Sequence, residues 1–154
     1  MKLRRGKTYL KRRPLRRKPH QKPTKRRKPQ KRKRGSLVKA LDTVFSIYVR
    51  QSHAINGLVA CYTCPTIAPI KKMQNGHYVS RSIRILRWSE DNCRPQCMGC
   101  NVFHGGRIIT FRENLVKELG EDSVQFLEAS RHTIFKPTTE WLEMKIAHYQ
   151  SLIQ

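Results

Sequence analysis

The sequence predicts an α+β domain flanked by helices and preceded by a long basic arm. Three observations carry this. Charge is segregated: residues 1–34 hold 19 of the 33 Lys and Arg and no acid. Two Cys-x-x-Cys pairs, Cys61/Cys64 and Cys97/Cys100, bracket 32 intervening residues. Apolar residues recur at helical spacing on both sides of that cysteine region. A chain of 154 residues suits one small domain and a tail, divided here as an arm over 1–35 and a domain over 36–154.

The arm comes first. Leu3, Leu10 and Leu15 stand alone in it, and Pro14, Pro19, Pro23 and Pro29 interrupt any helix. So few apolar groups do not offset the entropy of ordering, so the arm is expected to be disordered when free. Its chemistry suits a polyanion, each neutralised phosphate releasing counterions; the closing run Lys31, Arg32, Lys33 and Arg34 is expected to contact nucleic acid. A solubilising tail is the plainer alternative, but acidic tails serve that purpose better. A membrane surface would also attract the charge, yet no amphipathic helix or lipidation signal accompanies it. No signal peptide and no run of ~20 apolar residues is seen, so the expectation is a soluble protein that stays inside a cell, with no membrane partner. Its 14 basic and 10 acidic residues beyond the arm leave the domain only mildly positive, at +4.

The domain then reads in order. Leu37, Leu41, Val44, Phe45 and Tyr48 share one helical face, and Asn56-Gly57 is expected to end that helix. Arg50 on it suits either DNA or solvent. The cysteine pairs follow. In an intracellular chain five cysteines do not suggest a disulfide framework. A Cys-x-x-Cys turn aims two thiolates at one ion, and two such turns complete a tetrahedral Zn²⁺ site; a redox pair is the weaker reading. Cys93 is expected to be a free thiol. The segment between the pairs exceeds the ~15–20 residues of a plain zinc ribbon, so something is threaded there: a strand and turn over "NGHYVSR" with His77, the basic residues Arg81, Arg84 and Arg87, then Trp88 and Asn92. Asn101 follows the last cysteine. From Ile108 a helix is predicted with Ile108, Phe111, Leu115 and Leu119 on one face and Gly120 at its C-terminus. A short helix over "EDSVQFLEASRH" and a last one after Pro137, carrying Leu142, Ile146, Tyr149 and Ile153, complete the chain. Phe126, Leu127 and Trp141 are expected in the core. A core this small makes zinc a large share of the folding energy.

In chain order these residues are a His, an Asn and a second Asn, pinned by cysteine knuckles. They resemble the HNH nucleases with a ββα-metal core, in the His-Asn-Asn form with a four-cysteine zinc. More narrowly they are similar to the phage NinG/Rap recombination endonucleases, which act on branched DNA. The matching strings are "FSIYVR", "CYTC", "NGHYVSR", "RWSEDN", "PQCMGCN" and "FRENLVKELG", within residues 37–154. The resemblance implies His77 as general base, Asn92 as the residue that fixes the loop carrying it, and Asn101 as ligand to a catalytic Mg²⁺ or Mn²⁺. It also implies phosphate contacts from Arg81, Arg84, Arg87 and Arg107, a dimer by analogy with junction-resolving enzymes, and work on DNA in the cytoplasm of a bacterial host. An imidazole takes a proton near neutral pH, and a hard divalent ion on oxygen ligands holds a phosphate. The chain departs from related patterns at Gly76, where an Asp ligand is found in other nucleases, and at Arg107, where an Asn is expected. His104 lies near the implied site as ligand, phosphate contact or plain loop residue, and Glu113 reads as a surface helix residue. The competing function class is a non-catalytic, zinc-stabilised DNA- or RNA-binding protein with a ribosomal- or nucleoid-like tail.

Overall fold

In a computed structural model the described residues are 33–153. The first helix, α1, runs Arg34–Ser52. Leu37, Leu41, Val44, Phe45 and Val49 are its buried stripe, the i, i+4, i+7 pattern of an amphipathic helix. Arg34 and Gly35, placed in the arm by composition, belong to this helix. Lys31 and Arg32 and the expected disorder of the arm lie outside the described residues.

The expected role of Asn56-Gly57 is corrected. The helix ends four residues earlier, at Ser52, and the pair instead forms the turn of a hairpin between β1 (Ala54–Ile55) and β2 (Leu58–Ala60). Both have positive φ, 51° and 77°. A two-residue hairpin loop needs that, and Asn-Gly supplies it at least cost. A third strand, β3 (Ile67–Pro69), pairs antiparallel with β2.

A second sheet has two strands. β4 (Met73–His77) and β5 (Cys93–Cys97) pair antiparallel, with Met73 opposite Cys97, Gln74 opposite Gln96 and His77 opposite Cys93. Residues 78–92 form the loop between them. A π-helical turn, Gly99–Phe103, follows β5 and leads to α2 (Ile108–Leu119), α3 (Glu121–Ser130) and α4 (Thr139–Leu152). Gly120 ends α2 with φ 85°, as predicted. The expected apolar face of α2 is corrected at Ile108, which is 43% exposed at the start of the helix. Thr138 caps α4 by accepting from the Trp141 N–H, the role its hydroxyl suits.

Three apolar clusters hold the described residues together. α1 and α4 pack around Phe45, Trp88, Leu142 and Tyr149, with Cys93 buried among them. Loop 78–92 packs on α2 and α3 through Tyr78, Val79, Leu86, Phe111, Leu115, Val124 and Leu127. Val59, Met73, Cys61 and Cys100 form the third, at the cysteine pairs. Leu127 is buried as expected and Trp141 is partly buried, but Phe126 is 72% exposed; on α3 the apolar face passes through Val124 and Leu127, and Phe126 falls beside it. Among the described residues no helix is long and apolar enough to cross a membrane.

Candidate functional site

The four paired cysteines converge. The sulfurs of Cys61, Cys64, Cys97 and Cys100 all lie within 4.8 Å of one another. Four sulfurs at 2.3 Å from one tetrahedral ion stand about 3.8 Å apart, and Cys64 and Cys97 are 3.7 Å apart. The backbone N–H of Cys97 points at the Cys61 sulfur (3.2 Å) and that of Cys100 at the Cys97 sulfur (3.4 Å), contacts that favour thiolates. The Thr66 hydroxyl beside Cys64 draws that thiol down to about 6, whereas burial pushes Cys100 up to about 12. The donor set fits a zinc ion. Cys93 lies apart from the cluster, fully buried, and burial pushes its thiol far up.

The cluster fixes what is attached to it. Cys97 closes β5 against Met73, and Cys100 sits in the π-helical turn one residue before Asn101. Asn101 donates from Nδ2 to Gln74 Oε1 on β4 at 2.7 Å. Its own carbonyl oxygen is thereby turned away from Gln74 and left for another partner.

At the opposite end of β4, His77 is partly buried. Its Nε2 is 3.1 Å from the Arg87 carbonyl oxygen. A carbonyl only accepts, so Nε2 carries the hydrogen and Nδ1 keeps the lone pair. Burial lowers the imidazole's proton affinity, the charges of Arg81 and Arg87 lower it further, and the backbone carbonyls of Arg87 and Asn75 oppose them in part. The ring is therefore neutral below its ordinary 6.5, in the state that accepts a proton.

Asn92 does not reach the cleft. It is fully buried and staples loop 78–92: Oδ1 accepts from the Val79 N–H at 2.7 Å, and Nδ2 donates to the Val79 and Leu86 carbonyls at 2.9 and 3.0 Å.

One cleft of about 480 Å³ is lined by His77 and Asn101, by Arg81 and Arg87, and by Asp42, Ser46 and Arg50 from α1. The helix contribution has a faint sequence signal: Asp42, Ser46 and Arg50 recur at i, i+4, i+8, a polar stripe beside the apolar one. Arg50 donates to the Ser46, Ile70 and Met73 carbonyls (2.8–3.3 Å), tying α1 to the start of β4. Burial lowers its proton affinity, and among the described residues no carboxylate pairs with it. Arg87 is different. Its Nε and Nη2 grip Asp42 at 2.8 and 2.6 Å and its Nη1 donates to the Arg81 carbonyl; Trp88 Nε1 also donates to Asp42. The Arg87 guanidinium is thus spent on holding the loop to α1.

Arg84, Arg107, His104 and Glu113 do not line this cleft. Arg107 is exposed, at φ 48° before α2. That left-handed conformation is one Asn adopts readily and Arg rarely. Gly76 is a packing requirement. A Cβ there would stand 2.2 Å from Gln96 Oε1, and Gln96 is fully buried, donating to Thr63 Oγ1 and the Gly106 carbonyl. A side chain at 76 fits only if the buried Gln96 shifts. The oxygen that does offer itself beside it is Asn75 Oδ1, buried without a hydrogen-bond partner on a residue that lines the cleft.

The profile of the family described as NinG, Bacteriophage Lambda NinG protein, matches residues 1–154. The chain is 27% identical over 118 residues to the NinG proteins of Escherichia phage lambda, Escherichia phage 933W and Salmonella phage P22. Those matches cover 71% of this chain and 57%, 58% and 57% of the relatives, so the chain spans a little under three fifths of the length of the curated relatives it matches. No solved structure matches it. On the profile, which takes in the whole of the sequence, the chain belongs to the NinG family of phage proteins.

Proposed function

We propose that the cleft is the active site of a metal-dependent DNA endonuclease of the HNH type, with a structural zinc at the four cysteines and a divalent ion near Asn101. The observation that carries this is the convergence of a neutral, backbone-anchored His77 with Asn101 and the carboxylate-free Arg50 in one cleft. The β4, loop, β5 and helical-turn order, closed by the cysteine cluster, supports a ββα-type frame.

In this reading Nδ1 of His77 takes the proton of a water as its oxygen attacks phosphorus. The bond to the leaving oxygen breaks, and that oxygen is protonated from solvent. Arg50 and Arg81 receive the phosphate, both being without a carboxylate partner among the described residues. The donors fit a hard ion: the Asn101 carbonyl oxygen and the unpartnered Asn75 Oδ1 are oxygens, as Mg²⁺ or Mn²⁺ requires. Such an ion supplies charge neutralisation at the scissile phosphate and the leaving oxygen. Asn92 acts at a distance, holding the loop whose Arg87 carbonyl orients His77. DNA with branches, a homodimer and a place on DNA in the bacterial host cell belong to the same proposal, by family analogy.

One observation favours the second reading, a non-catalytic binding protein. Among the described residues the one carboxylate lining the cleft, Asp42, is gripped by Arg87 and Trp88, leaving amide oxygens for an ion. A nicking assay on branched and linear DNA, with Mg²⁺ or Mn²⁺ and with chelator, decides between them. Metal-dependent nicking that His77→Ala abolishes supports the nuclease. Tight binding without nicking supports the binding protein.

A further inference from the structure

The loop that carries Arg81 into the cleft has another face. Starting at the next residue, Ser82, it borders a separate groove of about 590 Å³. Three stretches of chain bring positive charge to that groove: Arg34 from the start of α1, Arg84 from the loop, and Arg131 and Lys136 from the segment between α3 and α4, with the imidazole of His132 among them. Among the described residues no carboxylate lines it. This differs from the other surface clefts near the loop, where Asp91 and Asp122 line one and Glu90, Asp91 and Glu118 line another.

The four permanent charges are also uncompensated. Among the described residues the ion pairs are Arg87 with Asp42, Arg94 with Glu118, and Arg112 with Glu121 and Glu128. Glu128 feels the Arg131 charge, but it is already held by Arg112 and by the Tyr78 hydroxyl. Four like charges gathered around one groove repel one another, and a ligand with repeated negative charge offsets that cost. The chain's own arm is not that ligand, since residues 1–34 contain no acid. Ile134, 86% exposed in the same groove, adds an apolar contact that suits a base or sugar.

We propose that this groove binds the phosphate backbone of a nucleic-acid strand as it leaves the cleft, with Arg84, Arg131 and Lys136 as phosphate contacts. The proposal rests on the nucleic-acid part of the reading above and not on its catalytic part. Arg81 lines the cleft and Ser82 lines the groove, and these adjacent residues have Cα atoms about 3.8 Å apart, which puts the two sites within reach of one strand. Arg84, which the cleft does not include, gains a function here.

The test is the salt dependence of binding by the full chain carrying Arg131→Gln and Lys136→Gln. Both residues are exposed and lie outside the clusters that hold the fold, so zinc content and melting temperature serve as controls for folding. The probes are a fluorescent 20-base-pair DNA duplex and, over the same salt series, phosphatidylserine vesicles. Each lost phosphate contact reduces the slope of log K against log salt by about 0.9 on duplex DNA. The double variant is expected to show a slope shallower by about 1.8, so its affinity falls roughly tenfold less than wild type between 50 and 200 mM salt. His77→Ala should leave the slope unchanged. An unchanged slope in a folded double variant overturns the groove, as does a variant that loses vesicle binding and keeps the DNA slope. If the slope falls but wild type never nicks DNA, the groove stands and the catalytic reading is lost. If nicking is intact and the slope is unchanged, the groove alone is lost.

Discussion

Replacing Asn92 with alanine tests whether the loop above the cleft is held by one buried side chain. Three side-chain hydrogen bonds would be lost, those to the Val79 N–H, the Val79 carbonyl and the Leu86 carbonyl. Each is worth about 1 kcal/mol net, and a buried group left without a partner costs about 1–3 kcal/mol. The side chain is fully buried, so water does not easily replace it. The sum is about 3–5 kcal/mol, at the upper end for a single substitution. Urea unfolding of the zinc-loaded protein measures it, with hydrogen exchange at the Val79 amide as the local probe. Asn92→Asp should not rescue: it keeps the acceptor for Val79 but turns a charged oxygen toward two carbonyls. Zinc content should be unchanged, because no cysteine ligand touches Asn92. A loss below about 1 kcal/mol, or a Val79 amide that exchanges no faster, would refute the reasoning.

Further outcomes follow from the same geometry. Purified protein should hold one zinc per chain; Cys64→Ser should lose it and Cys93→Ser should keep it, as metal analysis will show. Gly76→Ala should destabilise by about 1–3 kcal/mol through overpacking against Gln96, and Gln96→Ala in the same chain should recover part of that loss, so thermal melts of the two single variants and the double should be non-additive. The His77 proton affinity is lowered in the fold. Its contribution to stability is therefore complete above 6.5 and lost as pH falls through the lower folded value; any cleavage rate that depends on its lone pair should hold through pH 6.5 and decline only below it, in a pH–rate profile.

Much of this arrangement was legible because it is local. The periodicity of Leu37, Leu41, Val44 and Phe45 gives α1, and Phe111 and Leu115 give α2. The cysteine spacing gives the metal cluster, since a Cys-x-x-Cys turn determines its own geometry. What depends on distant packing was not legible. Asn56-Gly57 suits a helix end as well as a hairpin turn, and only the pairing of Ala54 with Val59 decides. Asp42 and Arg50 enter the cleft because α1 lies against β4, which no periodicity states. The basic string suggests Arg87 as a phosphate contact, whereas Asp42, 45 residues away, takes its donors. Gly76 reads as a missing ligand in the sequence, and the close approach of Gln96, 20 residues on, accounts for it. Phe126 is apolar enough for a core, but α3 buries Val124 and Leu127 and leaves Phe126 exposed.

The central claim is that His77 is the base of a metal-dependent cut. The most direct measurement is single-turnover cleavage of a labelled branched DNA by wild type and His77→Ala with Mg²⁺ or Mn²⁺, with zinc content and DNA affinity measured on the same samples. The account predicts cleavage by wild type that a chelator stops, and a loss of at least ~10²-fold in the variant, with zinc and affinity nearly unchanged. Cleavage by His77→Ala at the wild-type rate, or a wild type that binds the DNA and never cuts it, would contradict it.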